Sequence, residues 1–195
     1  LAVVSIIFLL SISACNLFST RQPEKPNSET GNFVPATNPN LVITNLENSI
    51  SDLNVDNFIQ CLSDSSRKDV RFFEFIPSAD AMSVYASLFH NWDILSERRA
   101  FTNLIIQSSL SQKPLLTLND KHFDILLPDS AVFSSNYSLS VLFEGETSVD
   151  IYSGIMQLTM TPEPNGLWSI VRWIDVSDGA DSTKSWSYLK AILTN

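Results

Sequence analysis

The hydrophobic pattern divides the chain into three unlike stretches. Residues 1–14 (LAVVSIIFLLSISA) hold eleven apolar positions, three serines and no charge. Residues 16–40 lose all periodicity and contain four of the nine prolines, a composition that suits a tether better than a packed element. From Leu41 the spacing turns helical. Ile43, Leu46, Ile50 and Leu53 share one face, and Val55, Phe58, Ile59 and Leu62 form a shorter one after Asn54. The aromatic-rich VRFFEFI, residues 70–76, stops at Pro77 and predicts a short strand. Ser78 suits the N-cap of a third helix, with Asp80 in its first turn and Met82, Tyr85, Leu88 and Phe89 along one side. A fourth helix starts near Asp93 or Ser96, turns Phe101, Leu104 and Ile105 inward, and ends before Lys113-Pro114.

Beyond Pro114 the period becomes two. LLTLNDKHFDILL changes parity between Leu118 and Phe123, which predicts a bulge near Asp120. Ala131, Phe133, Tyr137, Leu139, Val141 and Phe143 alternate with serines at 134, 138 and 140, the pattern of a half-buried strand. EGET at 144–147 reads as a turn. The returning strand, which begins with Val149 and Ile151, places Tyr152, Met156, Leu158 and Met160 on one side. Pro162 to Gly166 makes a second turn before LWSIVRWIDV, and a last helix over 182–193 presents Trp186, Leu189, Ala191 and Ile192 to the sheet. Helices followed by a long antiparallel meander define an α+β class: N-terminal helices packed on a curved, cone-shaped antiparallel sheet, with a C-terminal helix. The expected organisation is 1–14 signal peptide, 15–40 acylated cysteine and flexible tether, and 41–195 one cone domain.

Fourteen residues are too few to span a bilayer, which takes about 20 helical residues, but they match the apolar core of an export signal. The run ends in Ile12-Ser13-Ala14-Cys15, which resembles the lipobox of bacterial lipoproteins. That resemblance implies cleavage before Cys15, acylation of Cys15 with palmitate-type chains, and a domain held at the membrane on the non-cytoplasmic side of the cell envelope. Neither Met nor a basic residue precedes the apolar run, so the true start is expected upstream. A second resemblance rests on element order and on Asn165-Gly166-Leu167-Trp168-Ser169-Ile170-Val171-Arg172-Trp173. It is to the nuclear transport factor 2-like superfamily, which includes the SnoaL-like cyclases, and it spans roughly residues 41–180.

The net charge of -9 is uneven: no Lys or Arg lies between Lys121 and Arg172, where six acids fall. Such a surface repels phosphates, so nucleic acid is not an expected partner. The five glycines are too widely spaced for a Rossmann or P-loop motif. His90 and His122 do not form a helical metal pair, and Cys61 among Phe58, Ile59 and Leu62 reads as a buried thiol. Asp175, Asp178 and Asp181 do not follow the alternation of a calcium loop. No cofactor, metal or catalytic residue is expected from these patterns.

The superfamily resemblance implies a possible general base in the cone, for which Asp150, Asp124 and His122 are the candidates. Tyr85, Phe89, Trp92, Phe101, Phe133, Tyr137, Tyr152, Met156 and Trp168 are the positions expected to line a pocket or to fill a core. The reading that follows is a non-catalytic envelope lipoprotein that binds a small apolar ligand or an envelope protein. The alternatives are an isomerase, dehydratase or hydrolase using a buried carboxylate or His, and a structural subunit of an envelope assembly. A homodimer through the sheet is a further expectation.

Overall fold

The computed structural model describes residues 32–66, 71–179 and 184–194. The signal segment, Cys15 and Asp181 lie outside the described residues. Helix α1, Pro39–Ser51, starts where the Asn38 side chain accepts the Leu41 N–H at 3.2 Å, with Pro39 in the first turn. It buries Val42, Ile43, Leu46 and Ile50. Asn54 caps the short α2, Val55–Gln60, after a left-handed Leu53 at φ 56. Strand β1, Glu74–Ile76, runs to Pro77, and the Ser78 side chain caps α3, Ala79–Phe89. Asp93 caps α4, Ile94–Gln107.

Four long strands follow: β2 Leu115–Leu126, β3 Ala131–Val141, β4 Asp150–Pro162 and β5 Trp168–Val176. The sheet order is β1-β5-β4-β3-β2; β1 is parallel to β5 and all other pairs are antiparallel. The β2–β3 register slips between Asn119 and His122, and Asp120 takes φ 54. That is the expected bulge, and it restores Phe123 to the core side, where it meets Phe133. Alternation puts Tyr137, Leu139, Tyr152, Met156, Leu158 and Trp173 inside. Against this inner face packs α5, Trp186–Thr194.

Three expectations need correction. The tether was placed over 15–40, but the chain is docked from Asn32. Asn45, itself buried, accepts the Val34 N–H at 3.0 Å and donates to the Val34 carbonyl at 2.6 Å, while the Trp168 N–H donates to the Ala36 carbonyl at 2.7 Å. Prolines hide such docking because it uses backbone groups and leaves no hydrophobic period. Met82 was placed on an inward face but is 39% exposed, because α3 breaks its helical geometry at Tyr85 (φ -117, ψ 31) and buries little beyond Ala81 and Phe89. Ile192 is 40% exposed, and Lys190 takes the inward position instead at 2%. Residues 186, 189, 190 and 193 share the buried face of α5, a 3.6-residue stripe that has no place for 192.

Candidate functional site

The hollow that a curved sheet and its helices enclose is filled here by α5. Trp186 stacks edge-on to Trp173 (4.8 Å between ring centroids) and to Tyr137 (5.5 Å). The groove between α2, α4 and α5, beside Phe101, Glu97, Leu189 and Lys190, has room for only about 10 Å³, about the size that holds one water.

Two polar systems are sealed inside. In the first, Asp175 of β5 receives the Tyr137 hydroxyl at 2.7 Å on one oxygen, and the Ser187 N–H at 2.7 Å and Ser187 hydroxyl at 2.5 Å on the other. Tyr137 in turn accepts the Trp186 N–H at 2.7 Å, and Ser187 accepts the Ser78 N–H at 2.9 Å. Asp175 therefore closes the N-terminus of α5, where orphan N–H groups and the helix dipole favour a carboxylate. Burial pushes its pKa above the ordinary aspartate range, opposed by the hydrogen bonds from Ser187 and Tyr137 and by the charge of Lys190. Burial, reinforced by the Asp175 charge, raises Tyr137 far above the ordinary tyrosine value, and the Trp186 N–H it accepts pulls the other way.

In the second, the Lys190 ammonium donates to Glu97 of α4 at 2.6 Å, and the Trp92 indole N–H donates to the same oxygen at 2.7 Å. The ammonium lies 3.4 Å from the Phe75 ring centroid, 4.5 Å from that of Trp173 and 5.8 Å from that of Trp92. All three distances fall within cation–π range. Burial pulls the Lys190 pKa down, while the charge of Glu97, its hydrogen bond and, more weakly, Asp175 pull it up.

The aromatic positions expected to line a pocket or to fill a core are spread through the core. Trp92 joins Phe75 around Lys190, Phe89 packs against both of those rings, and Phe101 stacks on Phe58 at 4.3 Å. Tyr137 holds Asp175, and buried Met156 pairs in register with Asp175. Phe133 lies toward the far end with Phe123, Tyr152 sits under Lys184, Trp168 bonds the docked N-terminal strap, and half-buried Tyr85 meets Tyr188. None of the candidate bases is sealed inside the cone. Asp150 pairs with Lys184 at 2.7 Å, and His122 and Asp124, 3.3 Å apart, are largely exposed on β2. Sequence reading missed Glu97 and Lys190 altogether. Asp175 was signalled by its i+2 spacing from inward Trp173, but it was weighed only as a calcium ligand.

A larger hollow, about 540 Å³, lies outside the cone between Ser63–Ser66, Phe72 and Asp93–Arg98, and its carboxylates Asp64 and Asp93 are not buried. Among the described residues no group of His, Cys, Asp and Glu could hold a metal ion, and no helix is long and apolar enough to cross a membrane.

The fold is that of nuclear transport factor 2-like proteins. A superfamily protein of that type from Salmonella enterica serovar Typhimurium superposes with a TM-score of 0.53 at 13% identity, covering 72% of this chain and 92% of that one. An NTF2-like protein of unknown function in nutrient uptake from Rhodospirillum rubrum gives 0.52 at 11% identity, covering 72% and 98%. A protein assigned as a dehydratase of the NTF2-like family from Streptomyces avermitilis gives 0.53 at 9% identity, covering 72% and 94%. No family model matches the sequence, and no curated protein matches it. At these identities the likeness is one of fold.

Proposed function

We propose that this chain is a lipid-anchored protein of the bacterial cell envelope, held through acylated Cys15, and that its cone domain works by contact rather than by catalysis. The observation that carries the reading is the filled cone: Trp186 of α5 packs edge-on against Trp173 and Tyr137 of the inner sheet face, and both sealed carboxylates spend their hydrogen bonds on the protein itself. Contact then falls to the outer face of the sheet. The outward positions of β3 (even numbers 132–140) and β4 (odd numbers 151–159) carry Val, Ser, Asn, Ile, Gln and Thr and no charge. Ile151, Ile155 and Val176 are exposed there, and the charged residues Asp124 and Arg172 lie on the flanking strands. An uncharged centre with a charged rim is the pattern of an interface. For a chain of net charge -9, it is also a face on which two copies can meet without like charges opposing each other. The proposed occupant is a second copy.

Sedimentation of the chain from Asn32 onward is expected to show a dimer, and Ile155→Glu to weaken it by at least about 100-fold, the effect of a charge in an interface centre. A monomer at millimolar concentration refutes the contact face. Labelling with radioactive palmitate tests the anchor: the unsubstituted chain takes up label and Cys15→Ser does not.

A competing reading makes Asp175 a general base, and its burial and raised pKa favour that reading. It requires α5 to withdraw, so the Trp186 and Ser187 amides would exchange with solvent well before global unfolding. The contact reading expects them to exchange only with it.

A further inference from the structure

We infer that the cone contains a binding site for an organic ammonium group, and that Lys190 is its resident occupant, delivered by the chain's own last helix. The inference concerns the inside of the cone and stands apart from the dimer face. The walls of the site come from four separate segments: Phe75 from β1, Trp92 from the α3–α4 connection, Glu97 from α4 and Trp173 from β5. None belongs to α5. They converge on one nitrogen, with ring centroids at 3.4, 4.5 and 5.8 Å and a carboxylate oxygen at 2.6 Å. A core position that needed only volume would take Leu or Met, which bring no desolvation penalty. This one takes a fully enclosed ammonium and surrounds it with the groups that recognise ammonium: π faces and one anion. The Trp92 indole turns its own N–H onto Glu97, which fixes the carboxylate toward the nitrogen. The Trp173 indole N–H has no hydrogen-bond acceptor among the described residues, so that ring contributes its face alone. The class of ligand is a primary alkylammonium with a short apolar stem, the shape of the lysine side chain itself.

The test is chemical replacement of the occupant in the full chain, kept in nonionic detergent. Lys190→Ala removes Cγ, Cδ, Cε and the ammonium, a fragment equal in size to n-propylammonium. Adding n-propylammonium is expected to raise the melting temperature of Lys190→Ala saturably by at least several degrees. Isosteric n-propanol at the same concentration should do much less, and the unsubstituted chain, whose site is occupied, should not shift. Equal rescue by n-propanol, no rescue by either, or an equal shift of the unsubstituted chain overturns the inference. If Lys190→Ala does not fold, recovery of folded protein on refolding with n-propylammonium but not n-propanol supports it. If recovery fails with both, the double variant Glu97→Gln/Lys190→Met decides, since it keeps the volume and removes both charges. A folding equilibrium constant at least tenfold below that of the unsubstituted chain supports the inference, and any smaller loss, or a gain, overturns it.

Discussion

Gly154 stands opposite Tyr137 in the β3–β4 register, and a side chain there would have nowhere to go. An added Cβ would collide with the Val176 carbonyl oxygen and meet the Tyr137 hydroxyl at 2.9 Å, so glycine is what lets the phenol lie across β4 to Asp175. Gly154→Ala is expected to destabilise the fold by about 1 to 3 kcal/mol, the usual effect of overpacking a core, as read by urea denaturation. Asp175 itself makes a pH prediction. Its pKa is raised on folding, so the folded chain holds the proton more tightly than the unfolded one. The resulting stabilisation is full below the ordinary aspartate value of about 3.9 and is lost as the pH rises through the raised folded value. The stability of the unsubstituted protein relative to Asp175→Asn should therefore increase as the pH is lowered from 7 toward 4. A difference that stays flat or shrinks contradicts the assignment. Cys61, buried and with its thiol pushed well above the ordinary cysteine range by that burial, should resist aromatic disulfide reagents at pH 8 in the native protein and react once denaturant is added.

At the scale of elements, α5 is the piece whose role patterning could not reveal. Its apolar count suggested Trp186, Leu189, Ala191 and Ile192 as the inward set, and three of the four are inward. Lys190 is absent from that set, and its depth is set by Glu97, ninety-three positions away in sequence. Removing one partner of a buried pair strands the other. Lys190→Met is expected to reduce stability by about 3 to 5 kcal/mol, with a change in tryptophan fluorescence because Trp92 and Trp173 flank the ammonium. The bulge at Asp120 shows the opposite case. Its cause is a local parity change from Leu118 to Phe123, so it could be read directly from the order of residues.

At the scale of the whole molecule, the N-terminal strap ties the first helix to the last hairpin. A chain beginning at Asn32 keeps the Val34–Asn45 pair and the Ala36–Trp168 bond, whereas one beginning at Leu41 leaves buried Asn45 and the Trp168 N–H unpaired. The shorter chain should still fold but be less stable by about 2 to 4 kcal/mol, the cost of orphaning buried polar groups, with the two compared by denaturant titration.

Local sequence by itself determined the element order, the α+β class, the inward sides of β3 and β4, the bulge, and the cap at Ser78, because each depends on residues within a few positions of one another. Tertiary structure alone decided that α5 fills the cone, that Asp175 caps α5 and that Glu97 meets Lys190 within three aromatic rings. Those outcomes depend on groups brought together from distant segments. There, the penalty of burying a charge is offset by a partner that no local pattern specifies.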